Sequence, residues 1–261
     1  MARLNRYWRV AVVAACFGAM GIGGILYALV LFPALRLLPG GRKAQARRVR
    51  TVIHHSFVAL LATLRLGGVM RLERRNVELL RDAAGPVVVL ANHPSYLDIV
   101  VLIAHLPQAL CVVKSELWSN PFFGGVVRAA GYVRNDEPDR LIENCAACVA
   151  EGTPLIIFPE GTRSEPGKPL QFVRGAAHVA LKSGAAIQPV LLRCEPPAFT
   201  RGGKWYDQPD YGFRLVIEAR PRLGATALLD AERASGFKPR ALTRALEQFF
   251  TVQLEGAHPA P

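Results

Sequence analysis

His93 and Asp98, with four residues between them, pair a ring that carries a proton near neutrality with a carboxylate able to hold that ring. They follow the apolar run Val87-Val88-Val89-Leu90-Ala91, which is short, β-branched and preceded by Gly85-Pro86, and so reads as a buried strand. The histidine is therefore expected at a strand end. Pro94 disfavours the α region at His93, so that residue stays extended while a helix starts near Ser95 or Tyr96, placing Asp98 in the first helical turn. From there the carboxylate folds back to the imidazole, fixes its tautomer and stabilises the imidazolium formed on proton uptake. The same spacing also arises when a satisfied histidine sits beside a helix N-cap, so other segments have to decide between the two. No G-x-S-x-G elbow lies nearby, and no Ser or Cys has the spacing of a covalent nucleophile, which points to a hydroxyl of the substrate as the attacking group.

Phe158-Pro159-Glu160-Gly161-Thr162-Arg163-Ser164 leaves a second apolar run, Leu155-Ile156-Ile157, and is expected to be a loop at another strand end. Glycine there lets backbone N–H groups approach an anion, and the fork of Arg163 suits a phosphate held at two points. Glu160 is then expected to orient Arg163 or a substrate hydroxyl; a plain turn with a surface ion pair is the alternative. Gln171 to His178 opens a helix whose basic start, Arg174, either adds to an anion pocket or is simple surface charge.

With Gly131-Tyr132-Val133-Arg134 and Ile187-Gln188-Pro189-Val190 added, the chain resembles the phospholipid and glycerol acyltransferase family, whose best-known members are 1-acylglycerol-3-phosphate acyltransferases. Asn92-His93-Pro94-Ser95-Tyr96-Leu97-Asp98 matches the first block of that family. The other three segments match the later blocks in order, over roughly residues 75 to 220. The resemblance implies that His93 and Asp98 are the catalytic pair and that Glu160, Gly161, Thr162 and Arg163 bind the acceptor glycerophosphate. Lys114, in Val112-Val113-Lys114-Ser115-Glu116-Leu117, belongs to a further recurring stretch. In one respect the chain departs from the family: the second-block arginine position, about six residues after Gly131, holds Glu137, with Arg134 three positions earlier, so that either Arg134 replaces the usual phosphate ligand or the acceptor differs. The implied reaction moves an acyl group from acyl-coenzyme A or acyl carrier protein onto a lysophospholipid hydroxyl, with lysophosphatidic acid the leading acceptor. It needs no metal and no cofactor beyond that co-substrate. An ornithine-type lipid or a polyene glycolipid is an alternative acceptor, and a hydrolase or a non-catalytic lipid-binding protein an alternative class.

From Val10 to Leu35 the chain carries no charge, a stretch of about 26 residues against the ~20 that cross a bilayer, so a membrane helix is expected there. The run is too long for a signal-peptide core and lacks a small-x-small cleavage site. Arg3, Arg6 and Arg9 precede it; Arg36, Arg42, Lys43, Arg47, Arg48 and Arg50 follow. The larger cluster places the catalytic domain on the cytoplasmic side of the inner membrane. Ile53, Phe57, Leu60, Leu61 and Leu64 recur at helical spacing and predict an amphipathic helix over 51–70, lying on the membrane or packing on the domain. The net charge of +12 fits an anionic surface and anionic substrates, and the absence of a nucleic-acid module argues against nucleic acid as partner. Cys145-Ala146-Ala147-Cys148 is a lone C-x-x-C on a predicted helix without a second ligand pair, and reads as packing rather than metal.

The organisation that follows is a membrane helix at 1–38, a basic segment with an amphipathic membrane-associated helix at 39–72, an acyltransferase domain at 73–255 and a disordered tail at 256–261. Strands expected near 87–91, 109–113, 130–134, 154–158, 186–192 and 213–219 alternate with helices near 96–104, 119–128, 139–150 and 174–182, and a closing helix spans 237–254. The fold class is α/β, a mixed central sheet flanked by helices, as in glycerolipid acyltransferases.

Overall fold

A computed structural model describes residues 2–81, 86–135, 138–225, 227–228 and 238–256. Glu137 and nearly all of the expected tail lie outside the described residues. The chain runs α1 (Ala2–Leu26), a π turn (Tyr27–Leu31), α2 (Phe32–Arg36), α3 (Gly41–Leu66), β1 (Met70–Arg75), β2 (Val87–Ala91), α4 (Leu97–His105), β3 (Leu110–Lys114), α5 (Ser115–Trp118), α6 (Gly124–Ala130), β4 (Val133–Asn135), α7 (Pro138–Ala150), β5 (Leu155–Ile157), α8 (Gly175–Ser183), β6 (Ala186–Glu195), β7 (Phe213–Ala219) and α9 (Lys238–Glu255).

The seven strands lie in the order β1-β7-β6-β2-β5-β3-β4. From β6 to β4 neighbours are parallel, β7 is antiparallel to β6, and β1 runs parallel to β7. The five residues of β2 are all buried because the strand is flanked by β6 and β5, which is what its unbroken apolar run requires. Helices cover the sheet in two groups, α1, α3, α4 and α6 in one and α7, α8 and α9 in the other. The parallel strands place their carboxyl ends along one edge, where open α/β sheets put their ligands.

Two expectations need correction. The helix expected over 51–70 begins ten residues earlier, at Gly41, and Met70 opens β1 instead. The charges of Met70-Arg71-Leu72-Glu73-Arg74-Arg75 hide that strand from a hydropathy reading, yet they suit it, because β1 is an edge strand with a solvated side. The apolar stripe of α3 faces inward: Ile53, Leu60, Leu61 and Leu64 are buried in the core and Phe57 packs against it. Arg9, counted above as a flanking charge, is only 2% exposed and donates to the carbonyls of Pro209 (3.0 Å) and Asp210.

The apolar segment forms a helical run, Asn5–Arg36, long and apolar enough to cross a membrane, with one side docked on the domain. The Trp8 indole donates to the Gly67 carbonyl at 3.1 Å, and the Tyr27 hydroxyl lies 3.1 Å from Ser56 Oγ. Small residues set the closest approach. A β-carbon at Gly24 would stand 2.6 Å from the Phe122 carbonyl oxygen, and one at Gly125 would stand 2.5 Å from Ala28 Cβ. Between α1, α3, α4, α6 and β3 lies an apolar cavity of about 570 Å³, walled by Cys16, Gly23, Phe57, Leu60, Ile103 and Tyr132 among others.

Candidate active site

β2 delivers His93 to the sheet edge two residues past its last paired position, and α4 starts four residues later, with Tyr96 at its N-cap. Asn92 fixes this exit. Its side-chain amide donates to the Leu192 carbonyl and its oxygen accepts the Leu192 amide, both at 2.8 Å, locking the loop to β6. The Ser95 hydroxyl donates to the Ala198 carbonyl at 3.0 Å and adds a second tie, to the loop between β6 and β7.

Within this frame His93 Nδ1 lies 2.8 Å from Asp98 Oδ2, and the same oxygen accepts the Ser95 amide at 2.7 Å. Asp98 is wholly buried, whereas the His93 side chain keeps 17% of its surface exposed. Burial pushes the Asp98 carboxyl up to about 6, against the opposing pull of the bonds from His93 and Ser95. Its other oxygen, Oδ1, has no hydrogen-bond partner among the described residues. An ionised Asp98 selects the tautomer with the proton on Nδ1, which leaves the lone pair of His93 on Nε2. The Phe158 ring lies nearly parallel to the imidazole, with centroids 3.9 Å apart, and holds its plane.

Glu160 takes a different place from the one expected. Its Oε1 accepts the backbone amide of His93 at 2.8 Å and the Ser164 hydroxyl at 2.9 Å, so it braces the His93 loop rather than orienting Arg163. The physical reason is local. The β2 and β5 exits are neighbours, the Ser164 amide donates to the His93 carbonyl at 2.8 Å, and the carboxylate is the acceptor within reach. Burial pushes the Glu160 carboxyl up as well, opposed by the bonds from Ser164 and from the His93 amide.

Arg163 is oriented instead by backbone carbonyls. Its Nη1 donates to Phe199 (3.1 Å) and Thr200 (2.7 Å), and its guanidinium carbon sits 3.5 Å over the Tyr96 ring. The guanidinium therefore stands at the rim of the His93 loop. Gly161 adopts φ +67, a left-handed turn open to glycine, and its amide is spent on the Phe158 carbonyl at 3.0 Å. Thr162 is half-buried beside it.

The remaining candidates share the edge but stand to the side. Lys114 ends β3 and Arg134 lies on β4; both are exposed. With strands about 4.8 Å apart, they lie about 10 and 14 Å along the edge from β2. Arg174 is the exposed N-cap of α8. Tyr96, Phe158, Ser164 and Phe199 carry no assignment from sequence reasoning. Tyr96 had a local signal, lying inside the His93–Asp98 segment, whereas Phe199 reaches the site through contacts with Arg163 and Tyr96, both distant in sequence.

Residues 70–193 match a family model described as Acyltransferase. Among curated relatives, a 1-acyl-sn-glycerol-3-phosphate acyltransferase of Helicobacter pylori is 37% identical over 115 residues, covering 41% of this chain and 48% of that protein. One of Chlamydomonas reinhardtii is 33% identical over 172 residues, covering 62% and 52%. The chain thus spans about half the length of the curated relatives it matches. The crystal structure of the 1-acyl-sn-glycerophosphate (LPA) acyltransferase PlsC from Thermotoga maritima superposes with a TM-score of 0.68 at 17% identity, over 100% of both chains, and shares the fold.

Proposed function

We propose that this chain, whose residues 70–193 match the Acyltransferase family model, transfers an acyl group from a thioester donor, acyl-coenzyme A or acyl carrier protein, to the free hydroxyl of a lysophospholipid. The acceptor favoured by the names of its relatives is 1-acyl-sn-glycerol-3-phosphate, which gives phosphatidic acid. The observation that carries the reading is the contact of His93 Nδ1 with the fully buried Asp98 at 2.8 Å, on a sheet edge where the His93 side chain stays partly exposed.

In the proposed step the Nε2 of His93 takes the proton of the acceptor hydroxyl as its oxygen attacks the thioester carbonyl. Asp98 balances the imidazolium. Collapse of the tetrahedral adduct breaks the C–S bond, and the imidazolium returns the proton to the leaving sulfur, so the base is regenerated without a metal in the step. Arg163, at the rim beside Tyr96, is the cation we assign to the acceptor phosphate, with its free guanidinium edge as donor. Lys114, Arg134 and Arg174 lie farther along the edge and are assigned to the headgroup or to an anionic donor. The cavity between α1 and α3 is apolar and of the right class for an acyl chain, and α1 forms one wall of it. The apolar helix then holds the site against the membrane that contains the acceptor, on the cytoplasmic face according to the basic residues that follow it.

The test is acyl transfer by the detergent-purified protein and its His93→Ala variant, with labelled acyl-coenzyme A, lysophosphatidic acid and product read by mass. The wild type should form diacyl phosphate and the variant should lose about 10²–10⁴-fold in rate. A folded variant with normal turnover would remove the mechanism, and fatty acid released without acceptor would make the protein a hydrolase.

A further inference from the structure

Phe199 stands out in the backbone. Its φ is +54, in the left-handed region that residues with a β-carbon rarely occupy, and yet its side chain is 4% exposed, in the core. A glycine would take this conformation freely, so the ring must be needed where it is. Two sets of contacts meet at this residue. On the backbone side the Phe199 carbonyl accepts both Arg163 Nη1 (3.1 Å) and the Tyr96 amide (3.2 Å), and the next carbonyl, of Thr200, takes Nη1 at 2.7 Å. On the side-chain side its ring lies 5.7 Å from the Phe17 ring of α1 and 5.7 Å from that of Phe213 at the start of β7. Phe17 also meets Trp205 of the same loop at 6.4 Å.

We propose that Phe199 is a positioning residue that makes the aim of Arg163, and with it the affinity for a phosphate-bearing acceptor, depend on the docking of the apolar helix α1. The left-handed turn brings two successive carbonyls onto one guanidinium nitrogen, leaving the opposite edge of the guanidinium for the anion. The turn holds only while the ring is gripped by Phe17 and Phe213. When α1 is seated on the domain the grip is complete; when α1 lifts, the loop is free to relax to negative φ, which turns the carbonyls away and releases the arginine. Acceptor capture is thereby coupled to the element that contacts lipid. The inference rests on the reading of Arg163 as the phosphate ligand.

The experiment is steady-state kinetics on the full chain with lysophosphatidic acid, for the wild type, Phe17→Ala, Arg163→Lys and the double variant. Phe17→Ala should raise the acceptor KM about ten-fold, the size of one misaimed charge-assisted hydrogen bond, with kcat within about two-fold. Phe17→Tyr, which keeps a ring, should restore the KM. In the Arg163→Lys background the same Phe17→Ala change should add almost nothing, because the group it positions is gone. Additive KM effects, or a fall in kcat at unchanged KM, would overturn the coupling while leaving Arg163 as ligand. If Arg163→Lys itself leaves the acceptor KM unchanged, the phosphate reading fails and this inference fails with it. Should Phe17→Ala melt at assay temperature, Phe17→Leu replaces it in the same cycle.

Discussion

Asp98 and Glu218 are both buried carboxylates in one domain, and their surroundings are opposite. Glu218, on β7, is ringed by guanidinium groups: Arg193 at 3.1 Å, Arg220 at 3.1 Å and, shared with Glu73, Arg75 at 3.8 Å, so the carboxylate is amply matched by positive charge. Asp98 has one imidazole and one amide, both on the same oxygen, and its second oxygen has no partner among the described residues. The first arrangement ties β1, β6 and β7 together. The second leaves a carboxylate short of partners, with its proton affinity raised, beside the ring of His93, to which we assign the proton transfer. A buried charge that is fully matched serves the fold, whereas one left under-matched is available for chemistry.

The contrast can be broken most sharply at Asp98. Asp98→Asn should lower the transfer rate by about 10²–10⁴-fold, since the imidazolium loses its counter-charge. The same change should leave thermal stability at pH 8 equal or raise it by a few degrees. The sign follows from burial. A carboxyl raised from 3.8 to about 6 binds its proton more tightly when folded, so its favourable contribution is complete at low pH and is lost as pH climbs through 6. Above that, the ionised group is a cost that the amide removes. Initial rates together with scanning calorimetry measure both effects, and a large fall in Tm with activity kept would reverse the assignment.

Glu218→Gln should do the converse, costing about 2–4 kcal/mol of stability by leaving Arg193 and Arg220 without their anion while Arg75 keeps Glu73, with allowance for the partial exposure of Arg220. Its turnover well below Tm should match the wild type, and denaturant titration beside a rate assay checks the split. A milder probe is acid. The kcat/KM of the wild type should fall about ten-fold per unit below pH 6, as Asp98 gains its proton, and a profile flat from pH 7 to 5 would mean that this carboxylate does not limit the reaction. The smallest effect is expected at the rim. Tyr96→Leu removes the ring under Arg163 and should raise the acceptor KM by about 2–5-fold, with Tyr96→Phe neutral, as read by acceptor titration.

Much of this was legible in the chain because it is local. The unbroken apolar run fixes β2, the strand expected at 213–219 is β7, and Pro94 with the spacing to Asp98 fixes the turn that lets ring and carboxylate meet. What was hidden depends on partners distant in sequence. β1 is too charged to read as a strand until β7 is beside it. Glu160 lies 67 residues from His93, and nothing in its own segment says that the neighbouring exit will claim it. Arg9 looks like any membrane-flanking cation until the carbonyls of Pro209 and Asp210, 200 residues on, are found at its guanidinium. Spacing predicts chemistry within a turn; which strand exits adjoin decides the rest.

The bare-backbone contacts of Gly24 with Phe122 and of Gly125 with Ala28 bear on how parts of such proteins can be exchanged. An equally apolar helix taken from another protein would match this one in hydropathy and length. A methyl group at position 24 would already strike a main-chain oxygen that has no rotamer in which to retreat, pushing the first helix off its seat and opening the cavity it closes. Chimeras that trade this helix for a generic anchor should therefore reach the membrane and still work poorly, unless its pattern of glycines travels with it.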